Sequence, residues 1–97
     1  MPTYVVLMNW TDQGVRTAGD TVDRYEAAKD DLAERGLTIT DTYWTVGPYD
    51  IVTIVEAAND ETATAGLLRL ASQGNVRTTT MRAFNAEEAR GVIEKSR

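Results

Sequence analysis

Over Thr3 to Trp10, apolar and polar positions alternate with a period of two, which predicts a first strand. Thr11 to Ala18 is a polar connection with room for one helical turn. From Asp20 to Arg35 the period becomes helical. Val22, Tyr25, Ala28 and Leu32 fall on one stripe, and Lys29, Asp30, Asp31 and Glu34 face away. Asp20 is the expected N-cap of that helix, Asp23 suits its first turn, and Gly36 supplies the residue that ends it. Leu37 to Val46 and Tyr49 to Ala57 read as the next two strands. Asn59 or Asp60 then caps a second helix with the stripe Ala63, Gly66, Leu67 and Leu70, ending at Gly74. Val76 to Phe84 reads as a fourth strand. Asn85 with Glu88 has the spacing of a capping box for a short last helix that carries Ala89, Val92 and Ile93.

The order β-α-β-β-α-β plus a C-terminal helix predicts an α+β fold of the ferredoxin-like type, one domain over residues 1–97, with both long helices on one face of a four-stranded antiparallel sheet. Strands one and three are central in that topology. Strand one places Tyr4, Val6, Met8 and Trp10 on one side and Val5 and Leu7 on the other. Strand three places Ile51 and Val55 on one side, Val52 and Ile54 on the other. Two helices cover one face, so the second apolar face calls for another partner. The short last helix would cover part of it. A second subunit, sheet against sheet, would cover all of it.

Composition narrows the chemistry. The chain has 97 residues, no Cys, no His and a formal charge of −5. That charge argues against nucleic acid, whose binding rests on Lys and Arg neutralising phosphates. Without His or Cys the usual ligands of zinc and haem are missing, and no cofactor or metal is expected. No apolar run is long enough for a membrane span. The start, MPTYVVLMNW, has no basic n-region and reads as a strand rather than a signal peptide, so a cytoplasmic setting is expected.

The stretch YWTVGPYDIV, residues 43–52, holds the densest candidate chemistry. Its aromatic and β-branched start suits a strand, and Gly47-Pro48 breaks the ladder because proline has no N–H. Gly47-Pro48-Tyr49-Asp50 is therefore expected to be the hairpin between strands two and three, with Pro48 at the second position. Asp50 has two readings: its carboxylate accepts hydrogen bonds from turn N–H groups, or it orients a ligand at a cleft.

Gly47-Pro48-Tyr49-Asp50 resembles the Gly-x-Tyr-Asp signature of the GYD-domain family. YVVLMNWTDQG, YWTVGPYDIVTIVEA and GNVRTTTMRAF resemble that family's blocks in the same order, over nearly the whole chain. The family comprises small bacterial and archaeal proteins. The resemblance implies a dimeric α/β barrel, two ferredoxin-like sheets packed face to face. The hairpin and the later Gly74 to Thr80 segment are also similar, more weakly, to the effector-binding domain of leucine-responsive transcription regulators. That similarity implies Gly47, Tyr49 and Asp50 as ligand-loop residues. The chain lacks those regulators' helix-turn-helix segment.

Three functions compete. A small-ligand-binding homodimer, or a higher even oligomer, would keep a hairpin pocket at the subunit boundary. A cofactor-independent, monooxygenase-like enzyme on the same scaffold would hold a cavity under the helices with converging polar groups. A structural interaction module would have neither. The candidate ligand residues are Asn9, Trp10, Tyr43, Trp44, Gly47, Tyr49, Asp50 and Arg82. Trp10, Tyr43 and Trp44 equally suit core or interface positions, and Asn9 equally suits the following loop. Arg77 and Arg82 fall on opposite faces of strand four, so one of them is expected to pair with an acid such as Asp41 or Glu56. No residue is marked as catalytic. Any cavity is expected at the end of the sheet where strand three begins, lined by at least two of Trp10, Trp44, Tyr49 and Asp50.

Overall fold

Four strands pair antiparallel in the order β2-β3-β1-β4 in the computed structural model, which describes residues 1–97. They are β1 (Thr3–Trp10), β2 (Leu37–Trp44), β3 (Ile51–Ala57) and β4 (Val76–Ala83). Four helices complete the chain: α1 (Asp12–Arg16), α2 (Thr21–Glu34), α3 (Asp60–Ser72) and α4 (Ala86–Lys95). The fold is the ferredoxin-like α+β arrangement that the element order predicts.

The alternation in β1 and β3 decides which face is covered. Tyr4, Val6 and Met8 are buried with Ile51 and Val55, and Leu32 of α2 and Ala63 and Leu67 of α3 join them in one core. Each large apolar side chain fully removed from water contributes about 1.5–3 kcal/mol, so this layer drives the collapse. Val5, Leu7, Val52 and Ile54 point to the other side and are only partly buried. On that open side Met81 is 46% and Tyr43 is 61% exposed. α4 does not shield itself either: none of its residues is buried, and Val92 and Ile93 stay about half exposed.

A β-bulge changes the pattern in β2. Ile39 pairs with Val55 and Asp41 pairs with the next residue of β3, Ile54, so Thr40 is an extra residue. Before the bulge Leu37 and Ile39 face the helices; after it Thr42 and Trp44 do. Tyr43, opposite Val52, is left on the open face.

Several boundaries move inward. β2 ends at Trp44 rather than Val46, and β3 begins at Ile51 rather than Tyr49, because the four residues from Val46 to Tyr49 form a wider loop closed by the Thr45 N–H donating to the Asp50 carbonyl at 2.8 Å. Gly47 takes φ +141° within it, a conformation that favours glycine. α3 stops at Ser72, and Gly74, at φ +84°, turns the chain into β4. Asp20 is the N-cap of α2 but makes no side-chain cap bond, since the 3-10 turn Ala18–Asp20 leads directly into the helix. Val22, the first residue of the expected stripe, is 49% exposed. Asn59 caps α3 by accepting the Thr62 N–H at 2.8 Å, and Asn85 with Glu88 forms the full capping box.

Two polar ties hold the helices to the frame. Asp31 of α2 accepts from Arg69 of α3 at 2.9 Å and from Arg35 at 3.4 Å, and the Arg69 hydrogen bond holds its carboxyl below the usual range. As a surface cluster it adds little to stability. The Tyr4 hydroxyl donates to Asp60 at the start of α3. That hydrogen bond, and after it burial, raises the Tyr4 ionisation above the ordinary tyrosine value. A folded-state value above the unfolded one means full stabilisation below about pH 10, lost as pH rises through the folded value. Unfolding free energy measured across the alkaline range should therefore fall in a step that Tyr4→Phe removes. An unchanged step in Tyr4→Phe would assign it to another group.

Candidate functional site

β1, β2, β3 and β4 all bring one end to the same edge of the sheet: Trp10, Trp44, Ile51 and Val76. Under α2 at this edge lies a cavity of about 70 Å³. Met8, Ile39, Ile51 and Val76 floor it from the sheet, and Ala28 and Leu70 close it from the helices. Trp10, Tyr25 and Trp44 make aromatic walls, with Tyr25 and Trp44 edge to face at 5.6 Å between ring centroids. The apolar body of the site is thus the end of the hydrophobic core left unfilled.

Polar groups enter at defined points. Thr42 and Thr53 place their hydroxyls 3.3 Å apart across β2 and β3. Trp44 Nε1 donates to Thr21 Oγ1 at 3.0 Å, fixing its ring against the first turn of α2. Arg24 lines the cavity while donating to the Thr17 carbonyl at 2.7 Å and the Gly14 carbonyl at 3.2 Å, which caps the end of α1. Trp10 Nε1 is buried with no hydrogen-bond partner. A buried polar group without a partner is uncommon and calls for a reason.

Of the eight sequence candidates, the cavity gathers Trp10 and Trp44. Their neighbours Asn9 and Tyr43 follow on the opposite face, as adjacent strand residues must. Asn9 donates its amide to the Pro48 carbonyl at 2.7 Å, pinning the hairpin to β1, and Tyr43 stays on the open face. Gly47 and Tyr49 belong to the loop, where the Tyr49 carbonyl accepts from Thr45 Oγ1 at 2.6 Å. Asp50 accepts from the Trp10 backbone N–H at 2.9 Å, across the sheet rather than from the turn. Arg82 lies at the far end of the sheet, opposite Tyr4, with its guanidinium 4.4 Å over the Phe84 ring. Neither it nor Arg77 forms an ion pair with Asp41 or Glu56; the ion pairs run Arg35–Asp31, Arg69–Asp31 and Arg97–Glu94. Facing an aromatic pair and backbone carbonyls, Arg82 has no acid within reach.

Thr21, Arg24, Tyr25, Thr42 and Thr53 line the cavity and were not singled out by sequence. Tyr25 and Thr53 carried a signal, an aromatic on the α2 stripe and a polar residue on the buried face of β3. The expected turn role of Asp50 becomes a strand-to-hairpin tie. Asp50→Ala leaves the Trp10 N–H without its acceptor and should cost about 0.5–2 kcal/mol. Thermal melts of Asp50→Ala and the milder Asp50→Asn check this; identical melting for Asp50→Ala would show that the tie contributes nothing.

Comparisons with known proteins agree with this architecture. The GYD domain model matches residues 4–93. A Thermus thermophilus protein described as a glutamine synthetase and cystathionine beta-lyase binding protein is 37% identical over 85 residues, covering 87% of this chain and 90% of its own. A feast or famine regulatory protein from M. tuberculosis, solved in complex with L-methionine, superposes with a TM-score of 0.67 at 20% identity over 89% of this chain. The chain spans about half of that regulator, 52% of its length, and the likeness is one of fold. A crystal structure of a Thermus thermophilus protein gives a TM-score of 0.52 at 29% identity, covering 89% of this chain and 96% of its own. With its hairpin signature at Gly47, Tyr49 and Asp50 and the domain match running from residue 4 to residue 93, the chain belongs to the GYD-domain family.

Proposed function

We propose that this chain is a small-ligand-binding homodimer of the dimeric α/β-barrel type, working in the cytoplasm, with its ligand in the cavity beside the β2–β3 hairpin. The observation that carries this is the cavity itself: about 70 Å³ of space walled by Trp10, Tyr25 and Trp44, with Thr21, Arg24, Thr42 and Thr53 as its polar lining. Apolar walls with a few placed polar groups are the usual make-up of small-molecule sites. The cavity lies under α2, not on the open sheet face, so the ligand would sit within one subunit. Catalysis has weaker support, because no carboxylate lines the cavity and Tyr25 is its one side chain of the general-base type.

The uncovered side of the sheet, with Val5, Leu7, Val52 and Ile54 in its central strands, supports the homodimer. A solution mass near twice 10.7 kDa, or a higher even multiple, is expected, and a monomer at micromolar concentration would overturn it. The ligand is tested by its effect on the two tryptophans, both of which line the cavity. Native mass spectrometry of the purified protein should show a retained small molecule. Its removal should shift the intrinsic fluorescence, and adding it back should restore the emission. Emission that ignores every retained or added compound would sink the site.

A protein partner is a second reading, favoured by the description of the Thermus thermophilus relative, which gives that protein two enzymes to bind. The half-exposed Phe84, Val92 and Ile93 around α4 offer a surface for it. Loss of enzyme co-purification on Val92→Glu, with the dimer intact, would support that surface.

A further inference from the structure

Resting on the homodimer, we infer that α4 is an arm that wraps a second copy of the chain, its apolar stripe extending the sheet-to-sheet contact. α4 is a complete helix with nothing packed on it. Its capping box is formed in both directions, the Glu88 N–H donating to Asn85 Oδ1 at 2.8 Å and the Asn85 N–H to Glu88 Oε1 at 2.9 Å. Ala89, Val92 and Ile93 fall on one side at helical spacing, and Val92 and Ile93 are 47% and 52% exposed. A helix of 10 residues is marginal in water alone, and in proteins the packing of an apolar face supplies most of its stability. Its own chain does not supply that packing, because no residue of α4 is buried.

The root of α4 is short and held. Phe84 lies under the Arg82 guanidinium at 4.4 Å, and Arg82 Nη1 donates to the Thr3 carbonyl at 3.3 Å. With Asn85 tied into the capping box, the Phe84-Asn85 connection fixes the direction in which α4 leaves β4. The helix therefore stands off the body. The long axis of the molecule is 49 Å, and the radius of gyration is 14.4 Å against about 12.5 Å for a compact chain of this length.

A second copy is the occupant that area favours. Four strands about 4.8 Å apart and 8 residues long present a flat face of about 500 Å². A standard interface takes about 800 Å² from each partner, and the twist of both sheets keeps their faces from meeting everywhere. Sheet against sheet falls short. One side of a 10-residue helix, about 15 Å by 10 Å, covers about 150 Å². In a twofold dimer each subunit gives one such side and receives the other's. That brings each partner to about 800 Å².

The test compares dimer dissociation for the unaltered protein, for Val92→Glu combined with Ile93→Glu, and for Leu68→Glu, an exposed leucine of α3. The paired glutamates should weaken the dimer by about tenfold or more, and Leu68→Glu should change it by less than about twofold. Glutamate suits a helix at least as well as Val or Ile, so the far-ultraviolet circular dichroism should not fall. An unweakened dimer in the paired variant overturns the arm and leaves the homodimer standing. Lost enzyme co-purification in that same variant would then assign α4 to the foreign partner. Equal weakening by Leu68→Glu also overturns the arm, as an effect of added charge alone. A monomeric unaltered protein brings down homodimer and arm together. In dimers mixed from isotope-labelled and unlabelled copies, the methyl groups of Val92 and Ile93 should show nuclear Overhauser effects to the other copy. Their absence overturns the arm. Where the paired variant fails to fold, this measurement on the unaltered protein decides alone.

Discussion

Gly14→Ala is expected to destabilise the protein by about 3 kcal/mol or more, at the upper end of what overpacking does. The added methyl group would lie 1.9 Å from the backbone oxygen of Asn75, about half an ordinary contact distance. Neither backbone is free to retreat. The Thr11 N–H donates to the Asn75 carbonyl at 3.1 Å, the Thr11 hydroxyl to the Gly74 carbonyl, and Gln13 Nε2 to the Gln73 carbonyl at 2.9 Å. These bonds clamp α1 onto the turn between α3 and β4, and the methyl must pry the clamp open. For a domain of this size the melting temperature should drop by roughly 12–24 °C. Gly91→Ala is the control, since a methyl there meets nothing within 4 Å and sits within helix α4. It should be neutral or slightly stabilising. Equal melting of Gly14→Ala and Gly91→Ala would show that α1 does not pack this closely in solution.

Leu32→Ala should cost about 3–5 kcal/mol, the upper half of the range for emptying a buried leucine. Leu32 is 2% exposed and sits where α2 meets α3 over the sheet. How far neighbours relax into the space decides the cost at such a site. Here the facing residue of α3 is Gly66, which has no side chain to move in. A methyl at Gly66 would lie only 3.4 Å from Leu32 Cδ2 and 2.8 Å from Leu37 Cδ2. With a glycine across from it and Leu37 already packed against that glycine, no neighbouring side chain is placed to fill the space, so the cavity stays. Urea unfolding with an unchanged slope and a lowered midpoint is the expected signature. A loss below about 1 kcal/mol would mean the layer collapses after all.

How much of this was legible in the sequence depended on the range of the interaction. Caps and strands act over a few residues, so a cap at Asn59 or Asp60, the Asn85–Glu88 box and the division of β1 and β3 into two faces could be read directly. The pairing order followed from the sequence of elements. Interactions across tens of residues could not be read. Asp50 looked like a turn acid because its partner, the Trp10 N–H, is 40 residues away. Gly14 was one more residue of the polar connection from Thr11 to Ala18, because Asn75 reaches it only in the fold. The site shows the same division. Trp10 and Trp44 stood out as amphipathic residues at strand ends, yet the α2 residues Thr21, Arg24 and Tyr25 complete the pocket only after a crossover connection has folded back. Arg82 was drawn into the candidate set by its charge, while pairing with Tyr4 places it at the far end of the sheet.

The bulge at Thr40 lets β2 absorb a change of chain length without disturbing the pocket. Its extra residue stands outside the ladder, and the pairs beyond it, from Asp41 with Ile54 to Trp44 with Ile51, follow directly on Ile39 with Val55. Deleting Thr40 would leave those pairs as they are, so Trp44 would still border the cavity and Tyr43 would still lie on the open side. In such a deletion variant the Trp44 emission should be unchanged; emission moving to that of a wet indole would show that the strand had slipped by one residue instead. A lineage could therefore gain or lose one codon here and keep its pocket wall, which makes the bulge a tolerant point for insertion and deletion in an otherwise register-bound strand.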